Sequence, residues 1–267
     1  MKPANLESGR YLLLLDILGF RELITTREPD EIYAIVDHAL ESFDRWQKLN
    51  DDFRTIYYSD TILFYQDPLG YGDWAFLDVY AVGAFLLASL LAKGIPARGS
   101  ISFGDFVVRK DSRKKHEVYF GKALIEAYDA QERENWIGIT ILPSAWEVYE
   151  HHNPGMIDIL ESEGVWRRRD DDVLLLNPFL RLLGWFVHNK VERIDLPYDQ
   201  WDKPEFADAL RGLRFLLTKA DAFTRGGDFS SRVAVKYHAT VLFLRNVLGA
   251  ECFRWAEDAS SRLWPEG

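Results

Sequence analysis

The stretch Tyr11-Leu-Leu-Leu-Leu-Asp16-Ile-Leu-Gly19-Phe20 decides how the chain is read, together with Tyr57-Tyr58-Ser59-Asp60-Thr61-Ile62-Leu63-Phe64-Tyr65. Each places a lone carboxylate within or at the tip of an otherwise apolar strand. Burying an unpaired carboxylate costs several kcal/mol or more. A partner of opposite charge shared by both aspartates removes that cost, and a divalent cation with oxygen ligands can serve two carboxylates at once. Two strand-borne aspartates converging on such ions point to metal-assisted chemistry on phosphates.

Working outward, residues 11–18 read as a fully buried strand ended by Gly19, and 20–25 as a short helix. Residues 31–49 form an amphipathic helix, with Ile32, Ile35, Val36, Ala39, Leu40 and Phe43 at helical spacing, broken by Asn50-Asp51-Asp52. The β-rich runs 53–58 and 61–65 flank Ser59-Asp60 as a hairpin. A second long helix covers 71–93. Strands follow at 97–108 and 117–120, a helix at 122–133, a strand at 136–141 and a helix at 143–149. This order, β-α-α-β-β-α-β-β-α-β-α, predicts an α/β (α+β) sandwich with a mixed or antiparallel sheet flanked by helices. After Asn153-Pro154-Gly155 the pattern changes. One last strand is expected at 173–176, then a mainly helical region from Pro178, strongest over 204–223 and 230–263. The expected organisation is a core of residues 1–155 and a helical extension, 156–267, packed on the core or on a partner subunit.

Composition narrows the function. With 267 residues and 48% hydrophobic content, the chain can bury a large core. A net charge of -10 argues against a broad nucleic-acid surface. A small anionic substrate remains compatible, because a metal and a few arginines focus positive charge in one cleft. The single cysteine, Cys252, excludes an intrachain disulfide and a Cys-based structural zinc, and reads as a buried spectator. The N-terminus lacks an apolar signal core, and the apolar run at 82–92 is short for a bilayer span. The expectation is a cytoplasmic protein without membrane insertion.

Four motifs in order resemble the class III nucleotide cyclases. Asp16-Ile-Leu-Gly-Phe20 and the Ser59-Asp60 hairpin tip match that family's metal-binding first strand and second-to-third-strand turn. Ala97-Arg98-Gly99-Ser-Ile-Ser-Phe-Gly104 looks like its Arg-x-Gly-Ile-x-x-Gly strand. Tyr119-Phe120-Gly121-Lys-Ala-Leu-Ile-Glu-Ala127 and Ile137-Gly-Ile-Thr-Ile-Leu-Pro-Ser-Ala145 look like the helix start and strand that follow. The resemblance covers residues 10–150. It implies that Asp16, Asp60 and the Ile17 carbonyl bind two divalent cations, Mn²⁺ or Mg²⁺, and that Arg98 contacts phosphates. It places Phe20, Ile56 and Tyr58 by the substrate.

Departures from the family pattern carry information too. Ile56 stands where purine cyclases carry a base-reading Lys, and Val118 where they carry its partner Asp. The transition-state Asn and Arg fall on Ile125 and Asp129, so catalytic help must come from elsewhere, with Arg98, Arg54 and Lys122 as candidates. An apolar residue at position 56, with Tyr58 on the same strand face, suits a different base, and the overall pattern resembles the bacterial Pycsar anti-phage cyclases, which make cyclic UMP or cyclic CMP. That resemblance implies a nucleoside triphosphate substrate (UTP before CTP) and a homodimer with composite interface sites. It also implies a separate effector that senses the cyclic nucleotide. An adenylate or guanylate cyclase with atypical base contacts, and a catalytically degenerate nucleotide-binding module, stay open.

Local readings also stay open at this level. Asp16 can cap the following helix, Asp60 can be an ordinary turn residue, and Arg98 can pair with a surface carboxylate. Ile56 suits any strand, and Tyr58 suits a core. His151-His152 lacks the spacing of a zinc site. Arg109, Lys110, Arg113, Lys114 and Lys115 read as a solvated loop, and Arg167 to Asp172 as an exposed turn.

Overall fold

Strand β1 (Gly9–Ile17) runs near the middle of a seven-stranded sheet in a computed structural model of the chain. The structure describes residues 9–47, 53–66, 72–111, 116–180 and 204–263. The helix break at 50–52, Arg113 to Lys115 and the helical expectation over 181–203 lie outside them. On one side β1 pairs antiparallel with β3 (Thr61–Gln66), which pairs with β2 (Phe53–Tyr58). On the other it pairs antiparallel with β4 (Ala97–Asp105). Beyond β4 come β7 (Gly138–Ile141), β9 (Leu174–Leu176) and β8 (Trp166–Arg168), with β4 and β7 parallel. The expected α/β sandwich with a mixed, mostly antiparallel sheet is the architecture that forms.

A strand buried on both faces reads as a continuous apolar run, and the alternation of β1 shows what each face meets. Tyr11, Leu13, Leu15 and Ile17 join the main core. That core is built with α3 (Gly72–Ala92), while α2 (Pro29–Gln47) packs on α3. Leu12 and Leu14 join a smaller core on the opposite face, with Ala123 and Ala127 of α4 (Lys122–Arg133). Asp16, in phase with Leu12 and Leu14, therefore lies on the α4 face. The short α1 (Phe20–Thr26) follows β1, and α5 (Pro143–His152) and α6 (Met156–Ser162) follow β7.

The C-terminal helices α7 (Pro204–Arg225) and α8 (Arg232–Leu263) pack on each other, and α7 packs on α3. The main apolar cluster continues from the sheet into Leu210, Leu213, Leu244 and Phe253 of this layer. Cys252 is buried within it, as expected, and burial pushes its thiol up to about 12. Helix α8 carries a non-helical residue at Gly249, a standard place for a kink. The apolar stretch of α3 is longer than the 82–92 run. It covers Ala75–Ala92, which by length and composition could cross a membrane, and two thirds of it is buried in the fold.

Several elements differ from expectation, among them α6, for which no helix was expected. The strand expected over 97–108 stops at Asp105, and a separate hairpin of β5 (Val107–Asp111) and β6 (His116–Phe120) leaves the main sheet. Phe106 is the pivot: its ring is buried against Tyr65 and its carbonyl accepts a bond from Arg10. The strand before α5 begins at Gly138 rather than 136, and the Trp136 ring sits where a Cβ of residue 138 would stand. Arg167 and Arg168, expected in an exposed turn, instead form part of β8 opposite β9.

Two motif glycines have steric reasons. A Cβ on Gly99 would lie 2.4 Å from the Leu14 carbonyl oxygen, and one on Gly121 would lie 2.1 Å from that of Asp105. Neither backbone neighbour can swing aside. Gly99→Ala and Gly121→Ala should each lower stability by about 1–3 kcal/mol, the range for overpacking. Thermal denaturation checks this; a Tm within a degree of the parent for both variants would contradict it.

Candidate functional site

The site begins with a constraint on β1. Its even-numbered residues point to the α4 face, and its last ladder pairs place Asp16 between Thr61 of β3 and Arg98 of β4. Thr61 in turn opposes Tyr58, and Arg98 opposes Gly138. Tyr58, Thr61, Asp16, Arg98 and Gly138 thus form one transverse row across five strands. Neighbours in such a row stand about 4.5–5.5 Å apart. Asp60 sits at the end of this row in the two-residue turn joining β2 to β3. The Ile17 amide donates to the Asp60 carbonyl at 2.8 Å, tying the turn to the end of β1. Ser59 completes the turn at φ 57°, a left-handed conformation that is costly for a residue with a side chain.

Asp16 and Arg98 form a partly buried ion pair: Arg98 Nε donates to Asp16 Oδ2 at 3.1 Å, with side-chain exposures of 15% and 18%. The same guanidinium donates Nη1 to the Glu132 and Glu134 carbonyls at 3.3 and 3.5 Å, at the end of α4. Its Nη2 lies 3.8 Å from the Glu132 carboxylate. Burial raises the Asp16 pKa above the ordinary carboxylate range; the Arg98 hydrogen bond and charge oppose this, and the Asp60 charge adds to it. Burial likewise raises the Tyr57 phenol, with Asp60 contributing. The two carboxylates therefore lie close enough to repel, with one guanidinium between Asp16 and Glu132.

The expected residues do not all share these surroundings. Ile56 is half-buried on the α4 face, against the small core of Leu12, Leu14, Leu63 and Tyr65. Tyr58 is 79% exposed, so it is a surface residue beside Asp60 and not a core one. Phe20 leans on the main core, on the other layer from Ile56. Asp16 does not cap α1, whose N-cap is Gly19. Arg98 pairs with the strand neighbour Asp16 rather than only with a surface carboxylate. Arg54 Nη1 donates to the Phe53 carbonyl, and Lys122 is exposed at the start of α4. Val118 and Ile125 are also exposed, at 44% and 63%. Asp129 is exposed on α4. The exposed His151 and His152 at the end of α5 belong to no larger ligand cluster among the described residues.

Three further residues enter that sequence reasoning missed. Lys236 of α8 is half-buried and feels the charges of Arg98, Asp16 and Glu134; burial, then Arg98, lowers its pKa. Its Nζ lies 3.5 Å from the Glu134 carbonyl. The buried Glu134 carboxylate takes both Nη atoms of Arg169 at 2.7 and 2.8 Å, a two-pronged bond that locks the end of α4 to the β8–β9 hairpin. None of these residues sits in a local motif. Lys236 and Arg169 lie 138 and 71 positions after Arg98, and only the fold brings them near it.

The arrangement can hold hard divalent cations. The two carboxylates outnumber the one guanidinium paired with Asp16, and both offer oxygen donors of the kind Mg²⁺ and Mn²⁺ prefer. Among the described residues no group of three or more His, Cys, Asp or Glu side chains gathers at one point. Any such ion would thus take its remaining ligands from backbone, water or a bound phosphate.

No protein-family model matches the chain, and no curated protein matches it. Among solved structures, the chain is similar to the monomeric guanylyl cyclase domain of the RhoGC fusion protein from Blastocladiella emersonii. That match has 13% identity, covers 64% of this chain and 95% of that one, and has a TM-score of 0.49. The adenylyl cyclase CyaB from P. aeruginosa is 15% identical over 63% of this chain and 93% of its own, with a TM-score of 0.47. The guanylate cyclase domain of RhGC from Catenaria anguillulae, in complex with GTP, is 13% identical over 63% and 94%, with a TM-score of 0.47.

Proposed function

We propose that the chain is a metal-dependent nucleotidyl cyclase that converts a pyrimidine nucleoside triphosphate, UTP before CTP, to its 3′,5′-cyclic nucleotide and pyrophosphate. One observation carries the reading. Asp16 and Asp60 are neighbours at one end of the sheet, beside Arg98 and on the face that holds Ile56 and Tyr58. In this reading the ribose 3′-oxygen attacks the α-phosphorus and pyrophosphate leaves. Asp16, Asp60 and the Ile17 carbonyl would hold two divalent cations, which when bound acidify the 3′-hydroxyl and offset the triphosphate charge. Arg98 fixes the orientation of Asp16 through its Nε bond; its Nη1 is held by the Glu132 and Glu134 carbonyls, which leaves Nη2 as the donor for a phosphate. Ile56 offers an apolar wall, where a lysine would favour a purine edge, and exposed Tyr58 offers a ring against which the base can stack.

The same reading includes a homodimer with composite sites. Val118, Phe120, Ile125 and Tyr128 are 44–63% exposed on β6 and α4. Exposed large apolar side chains on two consecutive elements suit an interaction face. One set of motifs per chain then yields two equivalent sites under twofold symmetry. Cytoplasmic location, a separate effector that senses the cyclic nucleotide and a role in anti-phage defence complete the proposal; the resemblance of the motifs supports them.

The decisive experiment incubates the protein with each of the four nucleoside triphosphates and Mn²⁺ and identifies products by mass spectrometry. Cyclic UMP or cyclic CMP is expected. Asp16→Ala and Asp60→Ala should each lower the rate at least 100-fold with the fold intact. Cyclic AMP or cyclic GMP alone would overturn the pyrimidine assignment. Binding without turnover would favour a regulatory module, a reading that the exposed Ile125 and Asp129 at the transition-state positions also allow.

The Asp16 environment makes a second prediction. Its carboxyl holds a proton more tightly in the folded chain than in the unfolded one. The stability this lends is complete below the unfolded carboxylate pKa and is lost as pH rises through the raised folded value. Asp16→Asn should therefore melt near the parent at pH 3 and above it at pH 7. Mn²⁺ at 100 times its Kd should stabilise the parent by about 2.7 kcal/mol and leave Asp16→Asn unmoved. Equal Mn²⁺ shifts in both proteins would contradict the metal assignment.

For the dimer, sedimentation of the parent should show two copies, and Ile125→Asp should give a folded monomer. A parent that sediments as a monomer at assay concentration would refute composite sites.

A further inference from the structure

A cleft of about 420 Å³ opens past the ends of β1, β4 and β7, between α1 and the C-terminal helices. Leu18 and Gly19, which directly follow the Ile17 backbone, line its near side. The far side comes from α7 and α8. The volume falls in the range of small-ligand pockets, roughly 300–1,000 Å³.

Its charge is unlike that of the whole chain. Arg27, Lys219 and Lys236 line the cleft with a single carboxylate, Glu22. That is a local excess of two positive charges in a chain of net charge -10. Excess charge held in a concave, partly apolar site is felt strongly by ligands of opposite sign. Two rings, Phe215 and Tyr237, stand edge to face in the same lining with centroids 5.9 Å apart. Lys236 Nζ donates to the Glu134 carbonyl at 3.5 Å, and the exposed Lys219 ammonium lies 6.0 Å over the Phe215 ring. Lys236 also feels the charges of Asp16 and Arg98, so the cleft and the aspartate row share a residue at their boundary.

We propose that this cleft binds polyphosphate, and that the C-terminal helices thereby supply the positive charge which α4 lacks at Ile125 and Asp129. Lys236 contacts the phosphates nearest Asp16, and Lys219 and Arg27 hold those farther out. The ligand is a polyphosphate chain, carried by a nucleotide or free as pyrophosphate or tripolyphosphate. The inference deepens the cyclase reading and rests on it for the nucleotide as the source.

Calorimetric titration of the full chain with UTP, and separately with tripolyphosphate, tests the proposal. Both should bind the parent. Lys236→Met and Lys219→Met should each weaken both ligands about tenfold, the loss expected for one charge-assisted bond. Lys236→Arg should keep most of the affinity, and circular dichroism should show all variants folded. In the turnover assay the two methionine variants should raise KM for the nucleotide more than they lower kcat. UTP binding without tripolyphosphate binding would mean that the cleft reads the nucleoside instead and would overturn the proposal. So would parental affinity for both ligands in a Lys219→Met/Lys236→Met double variant. A parent that cyclises a nucleotide while the double variant keeps its KM would refute the cleft and leave the cyclase reading standing. A parent that turns over nothing but loses tripolyphosphate in the double variant would refute cyclase chemistry and leave the cleft standing.

Discussion

The antiparallel register of β1 between β3 and β4 is the constraint from which the site follows. Because side chains alternate on a strand, the same register that sends Leu13 and Leu15 into the main core sends Asp16 to the opposite face. It sets Asp16 opposite Arg98 and one step from the turn that carries Asp60. A slip of one residue would put Asp16 in the apolar core with α3 and send Leu15 toward Arg98. The core on both faces of β1 therefore holds the acidic pair in place more firmly than the pair's own contacts do.

Those contacts are not favourable in themselves. Burial and the neighbouring Asp60 both disfavour ionised Asp16, and the Arg98 bond offsets only part of this. The Ser59 backbone sits in a left-handed conformation at the turn beside them. Local cost concentrated where charges meet is common at functional sites, and the rest of the fold must supply the stability. Here the supply is large: one apolar cluster runs from β1 through α3 into α7 and α8. At the edge of the sheet, the Glu134–Arg169 pair ties the end of α4, whose carbonyls hold Arg98, to the β8–β9 hairpin.

Much of the architecture was legible from pattern. The all-apolar run 11–15 lies within β1, the two β-rich runs around Ser59-Asp60 form a hairpin with a two-residue turn, and the helices expected at 122–133 and 143–149 form at 122–133 and 143–152. Patterning was less informative where a strand ends for tertiary reasons. Residues 97–108 look uniformly β, yet the chain leaves the sheet at Phe106 because that ring has its own pocket beside Tyr65. Arg167 and Arg168 look like turn residues by charge, yet they form an edge strand because β9 offers a free ladder to pair with.

The amino-acid sequence alone determined that two aspartates would stand at strand ends, that an arginine would precede Gly99, and that Gly99 and Gly121 would be small. The aspartates are a local matter of alternation and turn chemistry, whereas the reason the glycines must be small, close approach to the Leu14 and Asp105 carbonyls, appears only in the fold. Only the tertiary structure decided that Arg98 turns to Asp16, that Phe20 belongs to the main core, and that Lys236, 220 residues beyond Asp16, stands beside the same charges. Contacts across such separations leave no periodic trace in a chain, because they depend on how whole layers pack and not on the spacing of neighbours.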